Sequence, residues 1–366
     1  MKKLSLFIAF CLIASLFAGC AGTPVIYYTD CTCPVGSHEV AAPAEPTPAP
    51  AETEAPVLME GALKTGMYIS TSIRDSVSAS AEAEGEAVYD VTVVAVLVDD
   101  EGIIHDCIID GIKTSVKFDA TGAVTTDLSA APQTKNELGE AYGMVAWGGA
   151  VAEWDAQAAA VAAACVGKHY GDLQGVVVSE SGYAPEGTDL ATSATIYIGG
   201  YVKAVELAAA SAQHLGAQTG DELKLAIING IDSSASATEE KEGTAQLDVN
   251  AAAVTMNGDT ITSCYIDAVQ AKVNFDTTGT VTTDVSTTPS TKNQLGEQYG
   301  MVAWGGAIAE WNVQAASFAS YVTGKTAAEV AGIAVDESTH PTDADLATSV
   351  TIAIGGFQGL IAKAAQ

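Results

Sequence analysis

Basic residues are scarce in this chain. Lysine and arginine together number 15 against 45 acids, which leaves a formal net charge of −30 over 366 residues. Phosphate recognition needs a basic stripe, so no nucleic acid is expected as a partner. The same acidity favours solubility, repels anionic headgroups and attracts cations. Cysteine is sparse too: seven residues, too few at this length for a disulfide framework. Catalytic signatures are missing. There is no G-x-S-x-G, no H-E-x-x-H, no phosphate-binding P-loop and no dinucleotide fingerprint.

Long apolar runs are also absent, apart from Leu4 to Phe17. That stretch is too short for a comfortable membrane span and follows Lys2 and Lys3, as in a signal peptide covering residues 1–19. It ends in Leu16-Phe17-Ala18-Gly19-Cys20, which resembles the lipobox of bacterial lipoproteins. The resemblance implies that the Cys20 thiol receives a diacylglyceryl group and that cleavage leaves Cys20 as the new N-terminus. Two or three acyl chains, palmitate among them, would then hold the protein on the outer face of the cell membrane, at ~0.8 kcal/mol per buried CH₂. The plainer alternative is a secretory signal cut nearby. Residues 20–57 read as anchor and tether. Seven of the eleven prolines fall at or before Pro56, and alternating Pro, Ala and Glu favour an extended polyproline conformation. Cys31 and Cys33, with His38 nearby, offer two thiols without the second ligand pair that a metal site needs.

Two repeats follow, offset by 157 positions over most of their length. Phe118-Asp119 matches Phe275-Asp276, Trp147 matches Trp304, and Gly167-Lys168 matches Gly324-Lys325. The period is that of a domain, not of a solenoid unit, so residues 58–214 and 215–366 are expected as tandem modules. In each, β-branched strands come first and alanine-rich helices later. That order predicts an α+β module, an antiparallel sheet packed against a long helix and shorter ones. Val91 to Val98 reads as a buried strand, Asp99 to Gly102 and Asn257-Gly258 as hairpin turns, and Ala120-Thr121-Gly122 as a further turn after which Val124 starts another strand. The long helix is expected from Val145 to Val166, stopped by Gly167, and in the second copy from about Val302 to Val322. Thr326 to Glu329 has capping-box spacing. Ala347 to Ile354 is expected as a strand and Gly356 to Ala365 as a terminal helix.

One stretch stands apart. "TKNELGEAYGMVAWGGAVAEW", Thr134 to Trp154, recurs as "TKNQLGEQYGMVAWGGAIAEW", Thr291 to Trp311, with 18 of 21 positions identical. Over Gly85–Cys107 and its counterpart, about eight of 23 agree. Something beyond apolarity holds this segment. Jigsaw packing is one cause: the glycines permit close approach, while Tyr142, Met144, Trp147 and Trp154 fill the gap between helix and sheet. A ligand pocket is another. Tyr142, Trp147 and Trp154 would then face a small planar ligand, with Lys135, Asn136, Glu153 and Gln157 as orienting polar groups. The second set is Lys292, Asn293, Tyr299, Trp304, Glu310, Trp311 and Gln314. Local gene conversion is a third.

The remaining candidates for chemistry are weaker. None of His38, His105, His169, His214 and His340 recurs in both modules, so a shared reaction would not rest on them. Asp119 with Asp127, and Asp276 with Asp284, flank a turn without EF-hand spacing. No metal site and no catalytic residue is expected. The pattern "YDVTVVAVLVDDEGIIHDCIID" resembles the opening sheet of FMN-binding-domain lipoproteins. In that family a Thr or Ser in a Ser/Thr-Gly-Ala-Thr/Ser motif takes FMN covalently, which would imply extracytoplasmic electron transfer. Here the matching text is Thr121-Gly122-Ala123-Val124, with Val124 at the acceptor place, and Thr278-Gly279-Thr280-Val281 in the second copy. The whole chain is similar to repeat-bearing lipoproteins of Gram-positive anaerobes. The function expected is that of a membrane-anchored, non-enzymatic binding module, with a cell-envelope component or small planar ligand as partner. An FMN-binding-like electron carrier is the alternative.

Overall fold

A computed structural model describes residues 61–366. Cys20, the leader, the tether and the Cys31/Cys33 pair lie outside the described residues.

The apolar run Val91–Val98 sits inside a longer strand because it is covered on both sides. Three antiparallel strands, β1 (Lys64–Ser72), β2 (Gly85–Val98) and β3 (Ile104–Phe118), form one sheet in that order. Along β2, Ala87, Tyr89, Val91, Val93, Ala95 and Leu97 face one core, and Val94, Val96 and Val98 face another. The helices follow: α1 (Lys135–Leu138), α2 (Met144–Gly148), α3 (Trp154–Cys165), α4 (Asp189–Ser193) and α5 (Gly199–Ala210). The second copy repeats the plan with β4 (Glu222–Gly230), β5 (Gly243–Asn257) and β6 (Thr260–Phe275). Its helices are α6 (Lys292–Leu295), α7 (Met301–Gly305), α8 (Trp311–Val322), α9 (Ala327–Ala331) and α10 (Gly355–Ala364). The fold is α+β, with two three-stranded antiparallel sheets, each carrying helices on its outer face.

Each repeat closes an interior of its own. Trp154, Val161 and Cys165 of α3 and Val202 and Val205 of α5 cover the first sheet. Trp311 and Phe318 of α8 and Phe357 and Leu360 of α10 cover the second. A third core lies between the sheets, built from the inner faces of both. The layers therefore run helix, sheet, sheet, helix. Contacts across the centre are reciprocal. Phe118 stacks on Phe275 with ring centroids 3.9 Å apart and planes within 1°. The Ala79 amide donates to the Gly279 carbonyl at 2.8 Å, and the Ala237 amide to the Gly122 carbonyl at 2.7 Å. Val124 donates to Ser236 Oγ and Val281 to Ser78 Oγ, both at 2.9 Å. Equivalent residues exchange equivalent bonds, as in an isologous dimer, here within one chain. Gly122 and Gly279 make this approach possible: a Cβ on either would lie 2.7 Å or less from the other repeat.

Several expectations need correction. The long helix is broken. Gly149 and Gly306 adopt left-handed φ of 62° and 63°, so α2 ends before α3 begins, and likewise α7 before α8. Residues 347–354 form no strand; a 3₁₀ turn at Leu346–Thr348 leads toward α10. Strands β1 and β4 were not expected at all. β3 is one continuous strand, and Val124 makes only an isolated bridge to Phe118. The hairpin turns at Gly102 and Gly258, the left-handed glycines 167 and 324, and the Thr326–Glu329 capping box are present as expected.

Candidate functional site

The duplicated stretch forms a bend that leaves the sheet edge, projects into solvent and returns as α3 or α8. Thr134 caps α1: its Oγ1 accepts from the Glu137 amide at 3.2 Å, while Glu137 Oε2 accepts from the Thr134 amide at 2.8 Å. Thr291 and Gln294 do the same at 3.2 and 3.0 Å. Glu and Gln serve a capping box equally well, which explains one of the three changed positions. The other two, Ala141/Gln298 and Val151/Ile308, are exposed.

The bend is fixed to the edge strand by a carboxylate that the sequence pattern did not reveal. Asp110 Oδ1 accepts from the Gly111 amide at 2.7 Å and the Asn136 amide at 3.0 Å. Asp267 does so with Ala268 at 2.7 Å and Asn293 at 3.1 Å. Burial pushes the Asp267 carboxyl up to about 6 and raises Asp110 in the same direction. The only sequence signal was the recurrence of an Asp at the same strand position in both copies.

The polar candidates turn inward. Asn136 Nδ2 donates to the Ile109 carbonyl at 3.1 Å, and Asn293 Nδ2 to Ile266 at 2.9 Å. The Glu153 carboxylate accepts from the first two amides of α2, Met144 at 2.8 Å and Val145 at 3.0 Å. Glu310 repeats this with Met301 and Val302 at the same distances. Those amides have no partner within their own helix, and the dipole favours a negative group there. Gln157 bridges the Ala152 carbonyl at 2.8 Å and the Thr195 amide at 2.9 Å. Gln314 joins Ala309 and Thr351, both at 2.8 Å. Lys135 is buried, its Nζ 4.8 Å from the Trp154 ring, 5.8 Å from that of Tyr142 and 3.4 Å from Asp90 Oδ1. Lys292 Nζ lies 4.8 Å from Trp311 and 5.0 Å from Tyr299. Burial lowers the pKa of both amines, and the ring faces offset part of that desolvation.

The aromatics divide. Trp154 and Trp311 are core, 3% and 6% exposed, and meet Tyr201 and Phe357 edge-on, each at 5.7 Å. Tyr142 and Tyr299, with Met144 and Met301, pack against those cores. Trp147 and Trp304 do neither what packing nor what a pocket would require: they are 91% and 90% exposed. The indoles lie over Gly143 and Gly300, where a Cβ would come within 2.3 Å of the ring. Both glycines have left-handed φ, 80° and 82°. Val145 and Val151, and Val302 and Ile308, are exposed beside them. Each bend thus presents an apolar tip on a base held by Asp110 or Asp267, Glu153 or Glu310, and Gln157 or Gln314.

Beside each bend runs a groove between the edge strand and the adjoining helix. It measures about 600 Å³ along β3 and α3, and about 590 Å³ along β6 and α8. Asn136 and Asn293 line them; Trp147 and Trp304 do not.

Elsewhere, three of the five histidines gather at the Asp99–Gly102 turn. His105 bonds Asp99 at 2.8 Å, His214 bonds Asp100 at 3.0 Å, and His169 packs on Gly102. Among the described residues no group of three or more His, Cys, Asp or Glu side chains could hold a metal ion. Asp119 and Asp276 each spend one oxygen on the turn that follows. The stretch matching the flavin-acceptor motif, Thr121–Val124, is engaged with the other repeat through Gly122 and Val124. Among the described residues no helix is long and apolar enough to cross a membrane. No protein-family model, curated protein or solved structure matches the chain.

Proposed function

We propose that the chain is a non-enzymatic binding protein, held on the outer face of the cell membrane through Cys20, that engages a cell-envelope component through its two tryptophan bends. The observation that carries this reading is a coincidence. The duplicated segment, 18 of 21 positions identical between the copies, carries at its projecting tip the most exposed large apolar side chains of the described chain, Trp147 and Trp304. Interior packing constrains the base of each bend but not a side chain that stands in water. Leaving an indole out of a core forgoes roughly 4–6 kcal/mol of burial, from 150–250 Å² at about 25 cal/mol per Å². That area is available to a partner, and tryptophan is enriched among residues that dominate binding.

A small planar ligand fits this arrangement less well, because such ligands are held in concave sites and the indoles project from the surface. An extended partner touched at two points fits better, since two linked contacts raise the effective concentration of the second. The test is co-sedimentation with isolated cell-envelope material. Trp147→Ser or Trp304→Ser alone should weaken binding at least tenfold, and the double variant should abolish it. Unchanged sedimentation of the double variant would refute the reading.

A further inference from the structure

The groove beside β6 has a property that its twin beside β3 lacks. In an antiparallel ladder every second residue of an edge strand turns its N–H and C=O away from the sheet. On β6 those residues include Ile266 and Ala268, because Asn293 bonds the Ile266 carbonyl and Asp267 takes the Ala268 amide. By the same alternation Cys264 also faces outward. Unpaired edges invite other strands and are normally covered, and most of this edge is. At one end Ile261 pairs with Gly324 and Lys325. At the other stand Asn293 and Asp267. Between them, the amide and carbonyl of Cys264 and the amide of Ile266 have no partner among the described residues. On β3 the corresponding Cys107 amide is occupied by Asp106 Oδ1 at 2.8 Å. The second repeat has Ser263 in place of that Asp, and its hydroxyl turns to Thr65 and Thr255, both at 2.7 Å.

The walls agree with the opening. The groove of about 590 Å³ lies between α8 and the Gln213–Leu215 segment. Its helix side is small, with Ala316, Ala319 and Ser320, and no carboxylate or lysine lines it. The twin includes Asp106 and Asp155. Two amide oxygens at the groove, Asn293 Oδ1 and Asn312 Oδ1, are buried with no hydrogen-bond partner, and a buried acceptor left unpaired costs about 1–3 kcal/mol. The site thus offers a strand-like donor–acceptor–donor row and two spare acceptors, between walls without carboxylate or lysine in an acidic protein; His214, bonded to Asp100, stands at one side.

We propose that this groove binds a short, uncharged, extended peptide with small side chains, which adds to β6 as a strand at Cys264–Ile266. The site is separate from the tryptophan bends. Binding uses main-chain hydrogen bonds, and the narrow helix wall selects small residues. The probe is N-acetyl-trialanine amide, titrated to millimolar concentration into the full chain while amide resonances and hydrogen exchange are followed by NMR. The Cys264 and Ile266 amides should shift, and their exchange should slow at least tenfold. Cys107 and Ile109 should not respond. The same peptide with methylated amide nitrogens should have no effect. Ala316→Trp, at an exposed helix position, should block the response, and Ala159→Trp in the twin should leave it intact. So should the Trp147→Ser/Trp304→Ser double variant, which separates this site from the bends. Unmoved Cys264 and Ile266 amides, an equal response at Cys107, or equal binding of the methylated peptide would overturn the proposal.

Discussion

Trp147 and Trp154 are seven positions apart in one duplicated stretch, yet their surroundings differ as much as two tryptophans' can. Trp154→Ala opens a cavity in a packed interior and should cost about 3–5 kcal/mol. Trp147→Ser removes a side chain that touches little beyond Gly143, so stability should stay within about 0.5 kcal/mol of wild type. Urea unfolding separates the two, and a large loss in Trp147→Ser would place its ring in a core. The immediate neighbours mislead: Trp147 lies between Ala146 and Gly148, whereas the buried Trp154 lies between Glu153 and Asp155. The glycines were legible as sites of unusual backbone; that Gly149 would turn the chain outward was not. Asp267 makes a second residue-scale prediction. Its folded pKa, about 6, lies above the unfolded value of about 3.9. The native state therefore holds the extra proton between roughly pH 4 and pH 6, and this group's contribution to stability falls as pH rises through that window. Relative to Asp267→Asn, which keeps an acceptor oxygen for Ala268 and Asn293, wild type should gain about 1 kcal/mol on going from pH 7.5 to pH 5. Parallel pH profiles would contradict the buried carboxylate.

At the scale of elements, strands with a continuous apolar run were legible and those without one were not. Val91–Val98 announced β2 because both of its faces are covered. β1, "KTGMYISTS", mixes polar and apolar residues because it lies at a sheet edge, and nothing in its composition marks it as paired. The helix expected from Val145 was misplaced for a related reason. Alanine-rich text permits a helix throughout, and only the Glu153 carboxylate and the left-handed Gly149 settle where one ends and the next begins. The sheets carry a prediction of their own. The inner face of β4–β6 buries Leu247, Val249, Val273 and Phe275 against the other repeat. Residues 215–366 expressed alone would expose that face, and large apolar patches seek partners. Because the natural contact is already self-complementary, the fragment should form a homodimer with Phe275 stacked on its own copy, and Phe275→Asp should prevent it. A stable, soluble wild-type monomer by light scattering would show that the central core is dispensable.

At the largest scale, residues 61–366 are a doubled unit closed around a shared middle layer, with the duplicated bends left outside it. The repetition and the α+β character were readable from the chain; the face-to-face pairing of the sheets was not, because the residues that mediate it, Gly122, Gly279 and the two phenylalanines, look in sequence like ordinary turns and core. The division of labour between a packed base and an exposed tip underlies the functional proposal, and one measurement tests it most directly. Acrylamide is a neutral quencher, so the net charge of −30 does not repel it, and it reaches only indoles in contact with solvent. Of the four tryptophans, two should be quenched freely and two shielded, and Trp147→Ser/Trp304→Ser should remove the accessible, red-emitting component while leaving the shielded one. Uniform protection of all four, or loss of the shielded component in that double variant, would contradict the account.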